Sequence, residues 1–217
     1  MTVFYPYTQT KDDGLELKYS IRSMVKYFKD MDGLILVGDR PAWFKGFHLQ
    51  HSDIDKRKEY SVYKKLLTAK QYIYPETKLL LCHDDIFALQ PFDSFLPNYY
   101  RGTCKEAIQW TKERRFKDML LSCPPDWLHF EVHAPMVIDT SLIEDEDSDF
   151  LLKTTYANRN HLPGIDIADC KLRGELNTTE IRQRIKGRPF FSTQDNMEGY
   201  VLKVANQLYP EKSKFEV

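Results

Sequence analysis

Within its first 90 residues the chain alternates short apolar runs with longer segments of helical period, and that order leaves few folds open. "TVFYPY" (2–7) is β-branched and aromatic and predicts a first strand. "LILVG" (34–38) and "KLLLCH" (78–83) are apolar runs too short for helices, and they predict buried parallel strands. After a polar loop, "TQTKDDG" (8–14), Leu17, Ile21, Met24, Val25 and Phe28 recur at helical spacing. "DRPAWFKGFHLQHSD" (39–53) reads as a loop, and "KRKEYSVYKKLLTAKQYI" (56–73) as a second helix. The succession predicts an α/β fold with a mostly parallel sheet and crossover helices. Ligands of such sheets gather beyond the carboxyl ends of the strands. Thr8–Gly14, Asp39 and the pair Asp84–Asp85 all come directly after predicted strands, so the order sets them along one rim.

Beyond Pro91 the pattern turns to α+β. It predicts a basic helix over 104–117, a Pro-Pro turn at 124–125, a strand "LHFEVH" (128–133) and another, "DIADCKL" (166–172). The acidic run within "SLIEDEDSDFLLKTTY" reads as a solvated face. A last helix, 196–208, carries Met197, Tyr200, Val201, Val204 and Leu208 on one stripe, with Ser192 and Asp195 ahead of it at capping-box-like spacing. No repeat or linker divides the 217 residues. We therefore expect one domain over 1–217, with an α/β half (1–92), an α+β half (93–208) and a tail (209–217).

Composition excludes several classes. With 42% hydrophobic and 29% charged residues and a net charge of −1, no global basic field advertises nucleic acid or an acidic membrane. Cys82, Cys104, Cys123 and Cys170 form no Cys-x-x-Cys pair, which argues against zinc-ribbon or thioredoxin chemistry and for buried free thiols. There is no signal-peptide pattern and no apolar run of the ~20 residues that span a bilayer. These features lead us to expect a cytoplasmic protein. Gly-rich phosphate loops and the G-x-S-x-G elbow are absent, so kinase, P-loop, classical NAD and α/β-hydrolase readings fall away.

Three stretches carry chemistry. In "LLLCHDDIF", Asp84 and Asp85 are neighbouring carboxylates that need compensation, from a divalent cation or from solvent at a turn. On a strand, "HFEVH" would set His129, Glu131 and His133 on one face, as a site wall or as a polar outer face. It is not the His-Glu-x-x-His zinc pattern. The basic stretches "KERRFK" (112–117) and "RQRIKGRPFF" (182–191) can track a phosphodiester backbone or simply face solvent.

Taken in order, "ELKYSIRS" (16–23), "LILVGDRPAW" (34–43), "LLLCHDDIF" (79–87) and "EVHAPMVID" (131–139) resemble blocks of GT-A-type nucleotide-sugar glycosyltransferases. The spelling is closest to the Stealth-type capsular-polysaccharide sugar-phosphate transferases, and "FFSTQDN" (190–196) resembles a more distal block. His83 stands where that family has Asn or Asp, and the chain is shorter than many of its members. The resemblance implies a GT-A-like, Rossmann-type domain using a nucleotide-diphosphate sugar, UDP-sugar first among them, with Mn²⁺ or Mg²⁺. It implies that Asp85 ligates the metal and Asp84 contacts ribose or donor sugar. Thr8 and Asp39 would line the nucleoside pocket, and Arg22 would support the nucleotide or diphosphate. His133 would be a metal or diphosphate ligand and Glu131 the base near the acceptor. The expected activity is transfer of the sugar to a hydroxyl of a glycan or of a hydroxymethylated base in DNA. Sugar-1-phosphate transfer and a non-catalytic nucleotide-binding module are the alternatives.

Overall fold

A computed structural model of the chain describes residues 1–9, 13–53, 58–74, 76–143, 151–193 and 199–217. The first half runs β1 (Thr2–Tyr7), α1 (Leu15–Tyr27), β2 (Gly33–Gly38), β3 (Phe47–Gln50), α2 (Lys58–Lys70), β4 (Lys78–Leu81). The second half continues β5 (Ile86–Ala88), β6 (Asn98–Tyr100), α3 (Cys104–Trp110), α4 (Arg114–Ser122), β7 (Met136–Asp139). It ends α5 (Leu152–Arg159), β8 (Gly164–Asp166), α6 (Thr178–Ile185), β9 (Phe190–Ser192), α7 (Gly199–Leu208).

Five strands form the main sheet in the order β3-β2-β1-β4-β7. β1 to β4 are mutually parallel, and β7 lies antiparallel to β4. β1 is buried on both faces, as its near-continuous apolar sequence requires. Val3, Tyr5 and Tyr7 pack with Leu17, Ile21 and Met24 of α1, while Phe4 packs on the other face with Tyr63, Leu66 and Ala69 of α2. The chain thus steps outward from β1 to β2 and β3 over one face, then returns through α2 across the other face to β4. α5 joins α2 on that second face through Leu152, Tyr156 and Ala157. Two short pairs, β5 with β9 and β6 with β8, extend the molecule beyond the sheet.

The helical stripe on α1 is buried at Leu17, Ile21, Met24 and Phe28, but Val25 is exposed. Ser20 and Ser23, not read as core, are fully buried: the Ser20 hydroxyl pairs with the Tyr5 hydroxyl at 2.8 Å, and Ser23 Oγ accepts from the Ala88 amide at 3.0 Å. These bonds satisfy polar groups that could not otherwise be buried.

Four expectations about elements need correction. The loop expected over 39–53 contains β3, an edge strand whose alternation is too weak to read. The single basic helix expected over 104–117 is two helices, because Thr111 leaves helical conformation and closes α3. The strand expected at 128–133 is absent apart from an isolated bridge between Thr103 and Leu128. There the Phe130 amide donates to Thr154 Oγ1 and the Val132 carbonyl accepts from Lys153, so side chains take the place of a ladder. Of the strand expected over 166–172, only Asp166 belongs to one, β8; Lys171 makes an isolated bridge to Ser192. The acidic run 144–150 and the cap residue Asp195 lie outside the described residues, as does the expected start of the last helix.

Gly38 closes β2 at φ +122°, where a Cβ would meet the Tyr7 carbonyl oxygen at 1.9 Å. Gly174 has φ +79° with nothing within 4 Å. Gly38→Ala should therefore cost on the order of 3 kcal/mol in urea unfolding. Gly174→Ala, strained only in its backbone, should cost about 1–2 kcal/mol.

Candidate functional site

The strand order reverses at β1: β2 lies on one side of it and β4 on the other. The crevice outside the carboxyl ends of β1 and β4 is therefore the topological switch point, where open α/β sheets bind ligands. Thr8 comes after β1, Asp39 after β2 and His83-Asp84-Asp85 after β4, so all of them stand on this rim.

On the β1–β2 side the loops are held by a buried lysine. Lys65, only 2% exposed, reaches from α2 to the Tyr7 carbonyl at 2.9 Å, Thr8 Oγ1 at 2.7 Å and Asp53 Oδ2 at 2.9 Å. Thr8 and Ser61 also donate to the Asp53 carboxylate. Burial raises the Asp53 carboxyl, and the bonds from Ser61, Thr8 and Lys65 more than offset this and hold it below its usual range. Asp39 Oδ2 accepts from the Gln9 amide at 2.7 Å, tying the end of β2 to the loop after β1.

On the β4 side Asp85 is built in from two directions. Its Oδ2 accepts from Ser192 Oγ at 2.8 Å and faces Lys171 Nζ at 3.6 Å, and the bridge between Lys171 and Ser192 fixes both donors. Burial raises the Asp85 carboxyl, but the charges of His133 (when protonated), Lys171 and His83 (when protonated), with the Ser192 hydroxyl, outweigh it and hold the carboxyl below its usual range. His133 Nδ1 lies 3.8 Å from Asp169 Oδ1, beyond hydrogen-bond reach, and has no partner among the described residues. Burial pushes His133 down to about 4, against the pull of Asp85, so its imidazole is neutral at pH 7. Asp169 is gripped by Arg173, by Arg101 at 3.6 Å and by the Lys171 amide at 3.0 Å.

The segment bearing Glu131 and His133 hangs on a second buried lysine. Lys153, 4% exposed, donates from α5 to the carbonyls of Val132 at 2.5 Å and Ala134 at 3.4 Å. Burial lowers His83, His129 and His133, and the Lys153 ammonium adds to the shift of each; burial lowers its own pKa as well.

Two residues given roles by the resemblance are hydrogen-bonded within the chain instead of facing the crevice unpartnered. The Arg22 guanidinium is committed to the C-terminal tail: Nε and Nη2 donate to the two Glu216 oxygens at 2.8 and 2.7 Å, and Nη1 to the Tyr209 carbonyl at 3.1 Å. It anchors the tail to α1 and is not offered to a nucleotide. Glu131 Oε1 accepts from the Thr154 amide at 3.0 Å at the start of α5, where Leu151 has no capping side chain. It serves as that helix's N-terminal acceptor, a role worth about 1 kcal/mol. The carboxylate facing His133 is Asp169 instead. Lys65, Lys153, Asp169 and Lys171 were not singled out from sequence, and Ser192, read there only as a cap candidate, instead ends β9 and donates to Asp85. Only the lysines carried a signal: Lys65 shares a helical stripe with Val62, Leu66 and Ala69, and Lys153 shares one with Tyr156 and Ala157.

A divalent cation that shares a diphosphate needs only one or two protein carboxylates. Asp85, ionised, and His133, neutral with an unpartnered buried nitrogen, have the chemistry to hold one. Among the described residues no group of three or more His, Cys, Asp or Glu forms a self-sufficient metal cage. No helix among them is long and apolar enough to cross a membrane. No protein-family model matches the chain, and no curated protein matches it either.

His129 gives the region a pH signature. It is buried, neither ring nitrogen is hydrogen-bonded among the described residues, and burial with Lys153 and Arg101 pushes it down to about 4, against Asp169. The unfolded chain, with histidine near 6.5, takes up the proton first as pH falls. Stability contributed by this group is thus full above about 6.5 and is lost as pH falls towards 4, by up to about 1.4 kcal/mol per pH unit. His129→Phe should unfold in urea with a visibly shallower pH dependence between 7 and 5 than the wild type; an unchanged slope would mean that this imidazole is already free to take up a proton in the folded protein.

Proposed function

We propose that the chain is a nucleotide-sugar glycosyltransferase with a GT-A-like site whose donor lies across the β1–β4 crevice. The observation that carries this reading is the ionised Asp85 at the switch point, faced by Lys171 and by the neutral His133. Thr8 and Asp39 line the nucleoside side, as the family resemblance implies, with Lys65 fixing the loop that carries Thr8. Asp84, beside Asp85 on the rim, takes the ribose or donor sugar. Asp85 and His133 would hold Mn²⁺ or Mg²⁺, which supplies Lewis-acid stabilisation of the departing diphosphate when bound.

Chain residues do the rest. Lys171 adds a fixed positive charge beside the leaving group, where charge develops in the transition state. Asp169, which faces His133, takes the role first given to Glu131. Burial raises its carboxyl, but Arg173, the Lys171 amide and His133 outweigh this and hold it below its usual range, which lowers its basicity. An acceptor hydroxyl passes its proton to this carboxylate as its oxygen bonds to the anomeric carbon. The bond from that carbon to the diphosphate breaks, and the nucleoside diphosphate leaves. Such proton transfer is worth roughly 10²–10⁴ in rate. Arg101 and Arg173 hold the carboxylate in place.

Titration calorimetry with UDP, with Mn²⁺ and with EDTA, checks the donor site. Binding should weaken at least tenfold in EDTA and in Asp85→Ala, with the melting temperature of the variant near wild type. Binding indifferent to both changes would mean that the aspartate pair is a hydrated turn.

A further inference from the structure

The parallel pairing of β6 with β8 sends two chain segments out at the same end, and between them lies an open cleft of about 490 Å³. It is lined by Arg101, Gly102, Glu106 and Trp110 on one side and by Asp166 to Ala168 on the other. Its volume falls in the range of about 300–1,000 Å³ usual for small-molecule sites.

The floor is built for an aromatic platform. Thr103 and Glu106 form a capping box that starts α3, and α3 carries Trp110 over the cleft. The Arg101 guanidinium lies 4.5 Å from the Trp110 ring centre, yet the indole keeps 39% of its surface exposed. Gly102, at φ +59°, lets the backbone pass beneath: a Cβ there would meet Glu106 Oε2 at 2.6 Å and Trp110 Cη2 at 3.1 Å. Under this floor lies His129, buried, its backbone paired with Arg101 and Gly102 and both ring nitrogens without partners among the described residues. At the far end Arg101 reaches Asp169, which faces His133, so the cleft adjoins the proposed donor site.

The lining selects among occupants. It holds two carboxylates, Glu106 and the exposed Asp166, against one cation, Arg101, whose charge is already shared with Asp169. Neither basic stretch noted in the sequence lines it. A phosphodiester entering here would meet like charge. A neutral ring with an apolar face and hydroxyl edges meets an indole, a carboxylate acceptor and guanidinium donors. We propose that this cleft, adjoining the Asp169–His133 end of the site, is the acceptor subsite and binds a neutral saccharide stacked on Trp110 with hydroxyls on Asp166. The acceptor role rests on the glycosyltransferase reading; the saccharide site itself does not.

The two are separated by titrating the full chain with UDP and Mn²⁺ in one arm and, without nucleotide, with neutral methyl glycosides and short oligosaccharides in another, by calorimetry and saturation-transfer NMR. We expect at least one saccharide to bind, with affinity lowered at least tenfold in Trp110→Ala and in Asp166→Asn and retained within about threefold in Trp110→Phe. UDP affinity should stay within twofold in Trp110→Ala, which also shows that this variant folds. UDP binding with no saccharide bound overturns the saccharide subsite and leaves the donor reading intact. Saccharide binding without UDP binding upholds the cleft and removes its acceptor role. A third arm uses an oligonucleotide with hydroxymethylated bases: Trp110-dependent binding of it, with no saccharide bound, gives the cleft to nucleic acid and overturns the proposal.

Discussion

The candidate site depends on β1 being hydrogen-bonded on both edges and buried on both faces. A strand in that position has no lateral surface of its own, so ligands meet it only at its ends, and in such sheets they gather at the carboxyl end. Because β2 and β4 lie on opposite sides of it, the strand order reverses at β1, and the crevice lies outside the carboxyl ends of β1 and β4. The carboxylates of the rim stand at this crevice because of sheet topology, and their chemistry derives from that placement.

Two buried lysines turn this crevice into a defined site. A buried ammonium is tolerated only where carbonyls or carboxylates surround it. Lys65 meets that condition by tying the end of β1 to Thr8 and Asp53. Lys153 meets it by tying the irregular 132–134 turn to α5. Each crosses from a helix on one face of the sheet to loop backbone at its edge, so each couples packing to the position of site residues. The same charges have an electrostatic effect. Burial, with Lys153 adding to it, keeps three histidines neutral, and Lys171 helps to hold Asp85 below its usual range despite burial. The region therefore presents neutral imidazoles beside ionised carboxylates at pH 7, an arrangement suited to gathering cations and polarised hydroxyls.

Arg22 and Glu131 show how a motif residue can owe its place to structure. Arg22 lies in a stretch spelled like a donor-site helix, yet its fork is filled by Glu216, 194 residues away in sequence. Glu131 and Asp169 illustrate the converse. The acidic residue with the motif caps a helix, and an acidic residue without one faces His133. Local spelling reports which side chains are present; which of them is already hydrogen-bonded depends on segments far along the chain.

Local pattern alone determined β1, β2 and β4, the helices α1 and α2, and the rim on which Thr8, Asp39, Asp84 and Asp85 stand. Those features arise from hydrophobic period and chain order, which act over a few residues. The edge strand β3, the break between α3 and α4 and the irregular course of 128–133 were not legible, because long-range partners override weak local preference there. Only the tertiary structure decided that Lys65 and Lys153 are buried, that Lys171 and Ser192 meet Asp85, and that Trp110 and Asp166 share a cleft. Each of these contacts joins residues from separate elements, and the energy that fixes them comes from burial and pairing in the folded state, which no local stretch of sequence contains.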